Sequence, residues 1–264
     1  MTSWLPIPAD SDFTLANIPF GIFNLPAAPP RPAIAIGDHL LDLHVFALGG
    51  GFDALPEAAG FLSVFSAPTL NAFAALGQAA NARVRAYMQD VLRADGPHAE
   101  LLERRSELRS LVLHRRDEAG LRMRLPMDVG DYTDFYAGRV HAFTVGSLFR
   151  GPENALQANY ECLPVGYHGR ASSVVVSGEE VRRPWGQTGA GQFGPCARLD
   201  IELELAAFVG VGTARGEALD TGAAAANIFG LVLMNDWSGG FASARPAGNG
   251  VLMRVVGSSG CPGV

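Results

Sequence analysis

The chain has 264 residues, of which 48% are hydrophobic and 17% charged, and it carries a formal net charge of −6. It is long enough to bury a core without disulfide or metal staples and too apolar for a disordered polypeptide. The acidic balance weighs against nucleic acid as a partner, because a phosphate-binding surface needs a basic excess.

In chain order, Met1 to Phe13 lacks a basic segment followed by an apolar run and already holds Asp10 and Asp12, so no signal peptide is expected. The segment Ala33 to Leu43 has two apolar runs around Gly37-Asp38 and predicts a β-hairpin. From Leu70, apolar residues at Phe73, Leu76, Val84, Tyr87, Met88, Val91 and Leu92 predict a helix that Asp95-Gly96-Pro97 ends. Pro97 to Arg116 predicts a second, with Leu101, Leu102, Leu108, Leu111 and Val112 inward and Glu100 four residues from Arg104 on the wet face. Near residue 118 the pattern changes to glycine-punctuated, β-branched runs, which sets a domain boundary there.

Beyond that boundary, Asp131-Tyr-Thr-Asp-Phe-Tyr136 packs two acids and two tyrosines into six residues, with His141 five positions on, and reads equally as a turn or a site. Arg150 follows, and then Leu163 to Arg170, whose Gly166 and Gly169 predict a tight loop presenting Tyr167, His168 and Arg170. Ser172 to Gly178 with Glu179 to Arg183 predicts a hairpin. Arg198 to Leu205 alternates, with Leu199, Ile201, Leu203 and Leu205 on one face and Asp200, Glu202 and Glu204 on the other. Such a row is usually the wet side of an amphipathic strand, although two carboxylates two residues apart are close enough to converge on a divalent cation. Asn227 to Met234 reads as a buried run ending in Asn235-Asp236-Trp237, where polar residues line a pocket. The longest apolar stretch, Ala223 to Met234, is too short to span a bilayer.

Several chemistries have no support. All 20 basic residues are arginine, which removes Schiff-base catalysis by lysine. Cys162, Cys196 and Cys261 are few and widely spaced and read as reduced, structural thiols. There is no GxSxG, HExxH or P-loop, and Gly210 to Gly216 has the wrong spacing for a dinucleotide fingerprint.

Taken together, Asp131 to Tyr136 with His141, Phe149-Arg-Gly with Glu153-Asn-Ala, Leu163 to Gly178, Leu199 to Glu204 and Gly230 to Ser238 resemble the fumarylacetoacetase family. The resemblance reaches upstream through Asp10-Ser-Asp-Phe and Ala35-Ile-Gly-Asp and covers about residues 1 to 238. It implies a mostly β fold with some α, made of an N-terminal SH3-like β-barrel domain over 1–118 and, over 119–238, the first part of a C-terminal mixed β-sandwich roll. It further implies a cytoplasmic homodimer that hydrolyses 4-fumarylacetoacetate to fumarate and acetoacetate in tyrosine and phenylalanine catabolism. Carried over residue by residue, a Ca²⁺ or Mg²⁺ ion falls on Asp134, Glu202, Glu204 and Asp236, the general base on His141, and substrate binding on Tyr136, Arg150 and Tyr167.

After Ser238 the family's Arg, Gln and Lys have no counterparts, so residues 239–264 are expected to form a divergent tail without regular structure, and the chain a truncated and impaired enzyme. Related acylpyruvate or β-diketone hydrolysis, and an inactive fragment, are the alternative readings.

Overall fold

Gly37, at φ +52°, turns the chain between two antiparallel strands and so produces the expected N-terminal hairpin. The computed structural model describes residues 2–240 and 253–257 and divides into two compact units, one formed by Met1–Asp128 with Val175–Val264 and the other by Val129–Val174.

The first unit opens with β1 (Phe20–Asn24), β2 (Arg31–Ile36) and β3 (His39–Asp42), followed by α1 (Leu43–Leu48), α2 (Asn71–Ala74), α3 (Gln78–Leu92), α4 (Glu100–Glu103) and α5 (Ser106–Val112). With β4 (Leu113–Arg115) and β5 (Arg122–Arg124), the strands make one sheet in the order β4-β3-β2-β1-β5. Asp42 ends β3 and caps α1, its Oδ1 accepting from the Val45 amide at 3.0 Å while Oδ2 lies 2.8 Å from Arg31 Nε. Against this sheet sits an aromatic core in which Phe52 stacks on Phe65 with centroids 4.8 Å apart and Phe46 meets Phe52 edge-on at 5.0 Å.

Two helical expectations are corrected. The helix expected from Leu70 is split into α2 and α3, because Gly77 between them takes φ +86°, which a right-handed helix cannot accommodate. The helix expected over 97–116 is likewise broken into α4 and α5 and ends in β4, and Leu111, expected inward, is 61% exposed. The Glu100–Arg104 pair does form on the wet face, at 2.9 Å.

Tyr87, on α3, donates its hydroxyl to the Gly51 carbonyl at 2.6 Å, and burial, with Asp53 nearby, pushes its pKa up to about 12. The folded state therefore keeps this proton after the unfolded chain begins to lose it. Stability is full below pH ~10 and falls as pH rises from there through about 12. Alkaline titration of the unfolding midpoint is expected to show this loss, and Tyr87→Phe to flatten it while lowering stability at pH 7 through the lost hydrogen bond.

The second unit contains β6 (Thr133–Phe135), α6 (Arg139–Arg150) and β7 (Gly166–His168), with β6 and β7 paired antiparallel. The chain continues through β8 (Val174–Val176), β9 (Trp185–Gly189), β10 (Gln192–Pro195), β11 (Arg198–Val209), α7 (Thr221–Asn227), β12 (Ile228–Gly240) and β13 (Met253–Gly257). The long strands form a sheet in the order β11-β12-β13-β8, so β8 does not make the expected hairpin with Glu179 to Arg183. The hairpin lies downstream instead, in β9 and β10, and turns at Gly191 with φ +71°. Of the segment expected to lack structure, 239–240 close β12 and 253–257 form β13; positions 241–252 and 258–264, with Cys261, lie outside the described residues. Among the described residues the fold is thus mixed α/β with many short strands, and no helix is long and apolar enough to cross a membrane.

Candidate functional site

β11 and β12 run antiparallel over their length, and their register sets Glu202 opposite Asp236, Glu204 opposite Met234 and Asp200 opposite Ser238. Directly opposed residues share a face, so the three acids of β11 and Asp236 project to one side. The alternation expected from the sequence is present, but the wet and dry sides are not those of an ordinary amphipathic strand. Asp236 is 1% exposed and Glu204 half-buried, whereas Ile201, Leu203 and Leu205 are 57%, 78% and 68% exposed. The acid-bearing face is the one that continues along β11 to Phe208, which packs on the core of this unit. The face is covered towards Phe208 and at Asp236, while Asp200 and Glu202 on it remain exposed.

Nor is Asn227 to Met234 the uniformly buried run its composition suggests. Residues 221–227 form α7, and along β12 Leu231 and Leu233 point outward while Met234 and Asp236 are buried. Ser238 donates its hydroxyl to Glu202 Oε1 at 2.9 Å and so fixes one oxygen of that carboxylate, a partner that sequence reasoning did not assign a role.

The second unit brings together most of the other candidates. β6 and β7 pair Thr133 with His168, Asp134 with Tyr167 and Phe135 with Gly166, which puts the Asp134 carboxylate and the Tyr167 ring side by side on one face. Tyr136 follows directly, its amide donating to Val165 O at 2.8 Å and its carbonyl accepting from the Tyr160 hydroxyl at 2.8 Å. Its ring meets His141 edge-on with centroids 5.6 Å apart. His141 is exposed in the first turn of α6. Arg150 ends that helix and donates from Nε to Asn154 O at 3.1 Å and from Nη2 to Ala155 O at 2.6 Å, so it holds the following turn as well as presenting a cation. Tyr160 had no signal in the sequence, because its role depends on where Tyr136 lies.

Gly166 and Gly169 were expected to shape a tight loop, and the structure gives them a different role. Residues 166–168 are a strand, and each glycine permits a close approach. A Cβ on Gly166 would come within 2.6 Å of the Asp134 backbone oxygen and 2.8 Å of the Phe135 ring, and one on Gly169 would overlap the Tyr132 ring. Gly166→Ala is therefore expected to separate β6 from β7 and to cost ~1–3 kcal/mol as an overpacking change. Faster amide exchange at Tyr136, whose partner carbonyl is the neighbouring Val165, measured against unchanged exchange in β2 and β3, is the check.

Two adjoining families describe most of the chain. Fumarylacetoacetase N-terminal matches residues 16–126, and fumarylacetoacetate (FAA) hydrolase C-terminal matches residues 132–249. Among curated relatives, fumarylacetoacetase fahA of Aspergillus fumigatus is 54% identical over 247 residues, covering 90% of this chain and 57% of its own length. The fumarylacetoacetases of Homo sapiens and Arabidopsis thaliana are 46% and 43% identical, each over 56% of its length and 89% and 90% of this chain. The chain thus spans a little over half the length of the curated relatives it matches. With a family match on each side of residue 130 and identities of this size along nine-tenths of its length, the chain belongs to the fumarylacetoacetate hydrolase family.

Proposed function

We propose that the protein acts in the metal-dependent hydrolysis of the carbon–carbon bond of 4-fumarylacetoacetate, giving fumarate and acetoacetate. The observation that carries this reading is the opposition of Glu202 and Asp236 across β11 and β12 on one face of the sheet, with Asp236 buried, Glu204 half-buried and Glu202 open to solvent. Directly opposed like charges destabilise a strand pair. A hard divalent cation relieves that repulsion, and an all-oxygen donor set suits Ca²⁺ or Mg²⁺. We assign Asp134, Glu202, Glu204 and Asp236 as its ligands; bound there, the ion would supply a Lewis acid for a diketone carbonyl.

The remaining roles belong to side chains of the second unit. His141 takes a proton from the attacking water. The hydroxyl oxygen adds to the carbonyl on the fumaryl side, the carbon–carbon bond breaks, and the departing acetoacetate carbon receives a proton, so that one water is consumed. Tyr136, Arg150 and Tyr167 hold the anionic ends of the substrate, a task suited to phenol and guanidinium donors. On this reading the five-stranded sheet corresponds to the SH3-like barrel of the family and the β11–β12 sheet to the start of its β-sandwich roll. The enzyme would work as a cytoplasmic homodimer on a substrate arising in tyrosine and phenylalanine catabolism.

Calorimetric titration with Mg²⁺ and with Ca²⁺ tests the metal assignment. Asp236→Asn and Glu202→Gln are each expected to weaken binding at least tenfold, since removal of a supporting residue alone costs about 10–100-fold. Stripping the metal is expected to lower the melting temperature, because an ion at 100 times its Kd stabilises the folded state by ~2.7 kcal/mol. Affinity and melting temperature indifferent to both substitutions would remove the site. Loss of diketone absorbance in 4-fumarylacetoacetate solutions, abolished by His141→Ala, tests the reaction.

A further inference from the structure

The two strands that present Asp134 and Tyr167 are three residues long, are separated by 30 residues of chain between Phe135 and Gly166, and form a two-stranded sheet of their own among the described residues. A ribbon of that size is marginal by its backbone bonds alone. One of its faces carries Asp134 opposite Tyr167. On the other face lies Thr133 opposite His168, and the His168 Nε2 meets the Asp131 carboxylate through Oδ1. Asp131 is two residues before Thr133, and the strand pairing continues past β6 because the Gly169 amide donates to Tyr132 O at 3.0 Å. Asp131 and His168 are therefore diagonal neighbours on the back of the ribbon, close enough for a cross-strand contact.

We propose that His168 and Asp131 are positioning residues, a latch across the back of the β6–β7 ribbon that sets Asp134 and Tyr167 side by side on its front. The assignment of Asp134 and Tyr167 to ligand and substrate binding rests on the function proposed above; the latch itself rests only on the register and the contact. The family assignment gave neither Asp131 nor His168 a role. Both side chains are exposed, and an exposed ion pair usually contributes little. This one differs in what it joins. It bridges residues 37 apart in sequence across a pair with few other bonds, so its loss acts on the register of the whole ribbon. It also explains why a histidine stands beside Tyr167 without facing the same way: successive strand residues point to opposite faces.

The test uses the full chain with His168→Ala, His168→Gln, whose amide nitrogen can take the place of Nε2, and Asp131→Ala. Backbone amide exchange at Gly169 and Tyr136 is read first, with β2 and β3 amides as the internal reference. His168→Ala and Asp131→Ala are expected to speed exchange at Gly169 and Tyr136 about fivefold, on the scale of one cross-strand charge pair, and His168→Gln to restore it. Mg²⁺ affinity, read by calorimetry on the same proteins, is expected to weaken about fivefold in the two alanine variants and to recover in His168→Gln. Exchange at Gly169 and Tyr136 unchanged in both alanine variants overturns the latch, whatever the metal does. Faster exchange in a chain whose parent binds no Mg²⁺ supports the latch and overturns the metal reading instead. Faster exchange with Mg²⁺ affinity unchanged, in a parent that does bind, overturns the positioning role.

Discussion

Asp42→Ala is expected to destabilise the first unit by ~3–5 kcal/mol, the range for removing one partner of a buried ion pair. Asp42 is fully buried and serves two structures at once. Its Oδ1 accepts the Val45 amide at the start of α1, and its Oδ2 faces the Arg31 guanidinium from the neighbouring strand. The substitution leaves Arg31, itself largely covered, with its charge uncompensated against the Phe23 ring, and leaves an amide at the helix start without its acceptor. The cap alone accounts for about 1 kcal/mol, so most of the effect comes from the pair. Asp42→Asn separates the two, because the amide oxygen can still cap α1 while the charge is gone. Urea unfolding monitored by circular dichroism is the measurement. A loss in Asp42→Ala no larger than that of an ordinary cap would show that Arg31 finds water or another partner when the unit is folded.

The second large effect is expected at Phe73, where replacement by alanine should cost ~3–5 kcal/mol through the cavity it leaves. Phe73 is fully buried on α2, and its ring meets Phe20 of β1 at 5.0 Å, Phe65 at 5.5 Å and Phe229 of β12 edge-on at 5.8 Å. Three aromatic contacts at these separations each add ~0.5–1.5 kcal/mol beyond area burial, and no rearrangement of one neighbour fills the gap left between three. The contact with Phe229 gives the substitution a consequence beyond stability, because Phe229 is the second residue of the strand on which Asp236 lies seven residues later. Amide exchange along β12 should therefore rise in Phe73→Ala more than exchange in α3, and Phe73→Leu, which keeps most of the volume, should cost less than half as much. Uniform acceleration across the unit would mean that Phe73 supports the core without any particular coupling to β12.

Features whose physics is local were legible in the chain alone. The hairpin around Gly37 follows from two apolar runs joined by a residue free to take positive φ, and the Glu100–Arg104 pair follows from a spacing of four on a helix. The alternation of Leu199 to Leu205 against Asp200, Glu202 and Glu204 is equally a property of any extended strand, and the family was legible because its motifs are contiguous runs.

Where along that alternation the chain is covered depends on long-range packing. Periodicity assigns residues to faces but carries no information about what lies against each face, so the acids taken alone read first as a solvated surface and only second as a site. Only the register of β11 with β12, and the packing of Phe208 and Phe229 on the core of the unit they belong to, cover Glu204 and Asp236 and leave Leu203 and Leu205 outside. The same holds for Gly166 and Gly169, whose tight approaches to Asp134, Phe135 and Tyr132 involve residues 30 or more positions away in the chain, and for Asp42, whose double role depends on a neighbouring strand. A glycine or an aspartate carries one local signal, a turn or a cap. Whether it also closes a long-range contact is set by steric and electrostatic partners that the chain brings together only on folding.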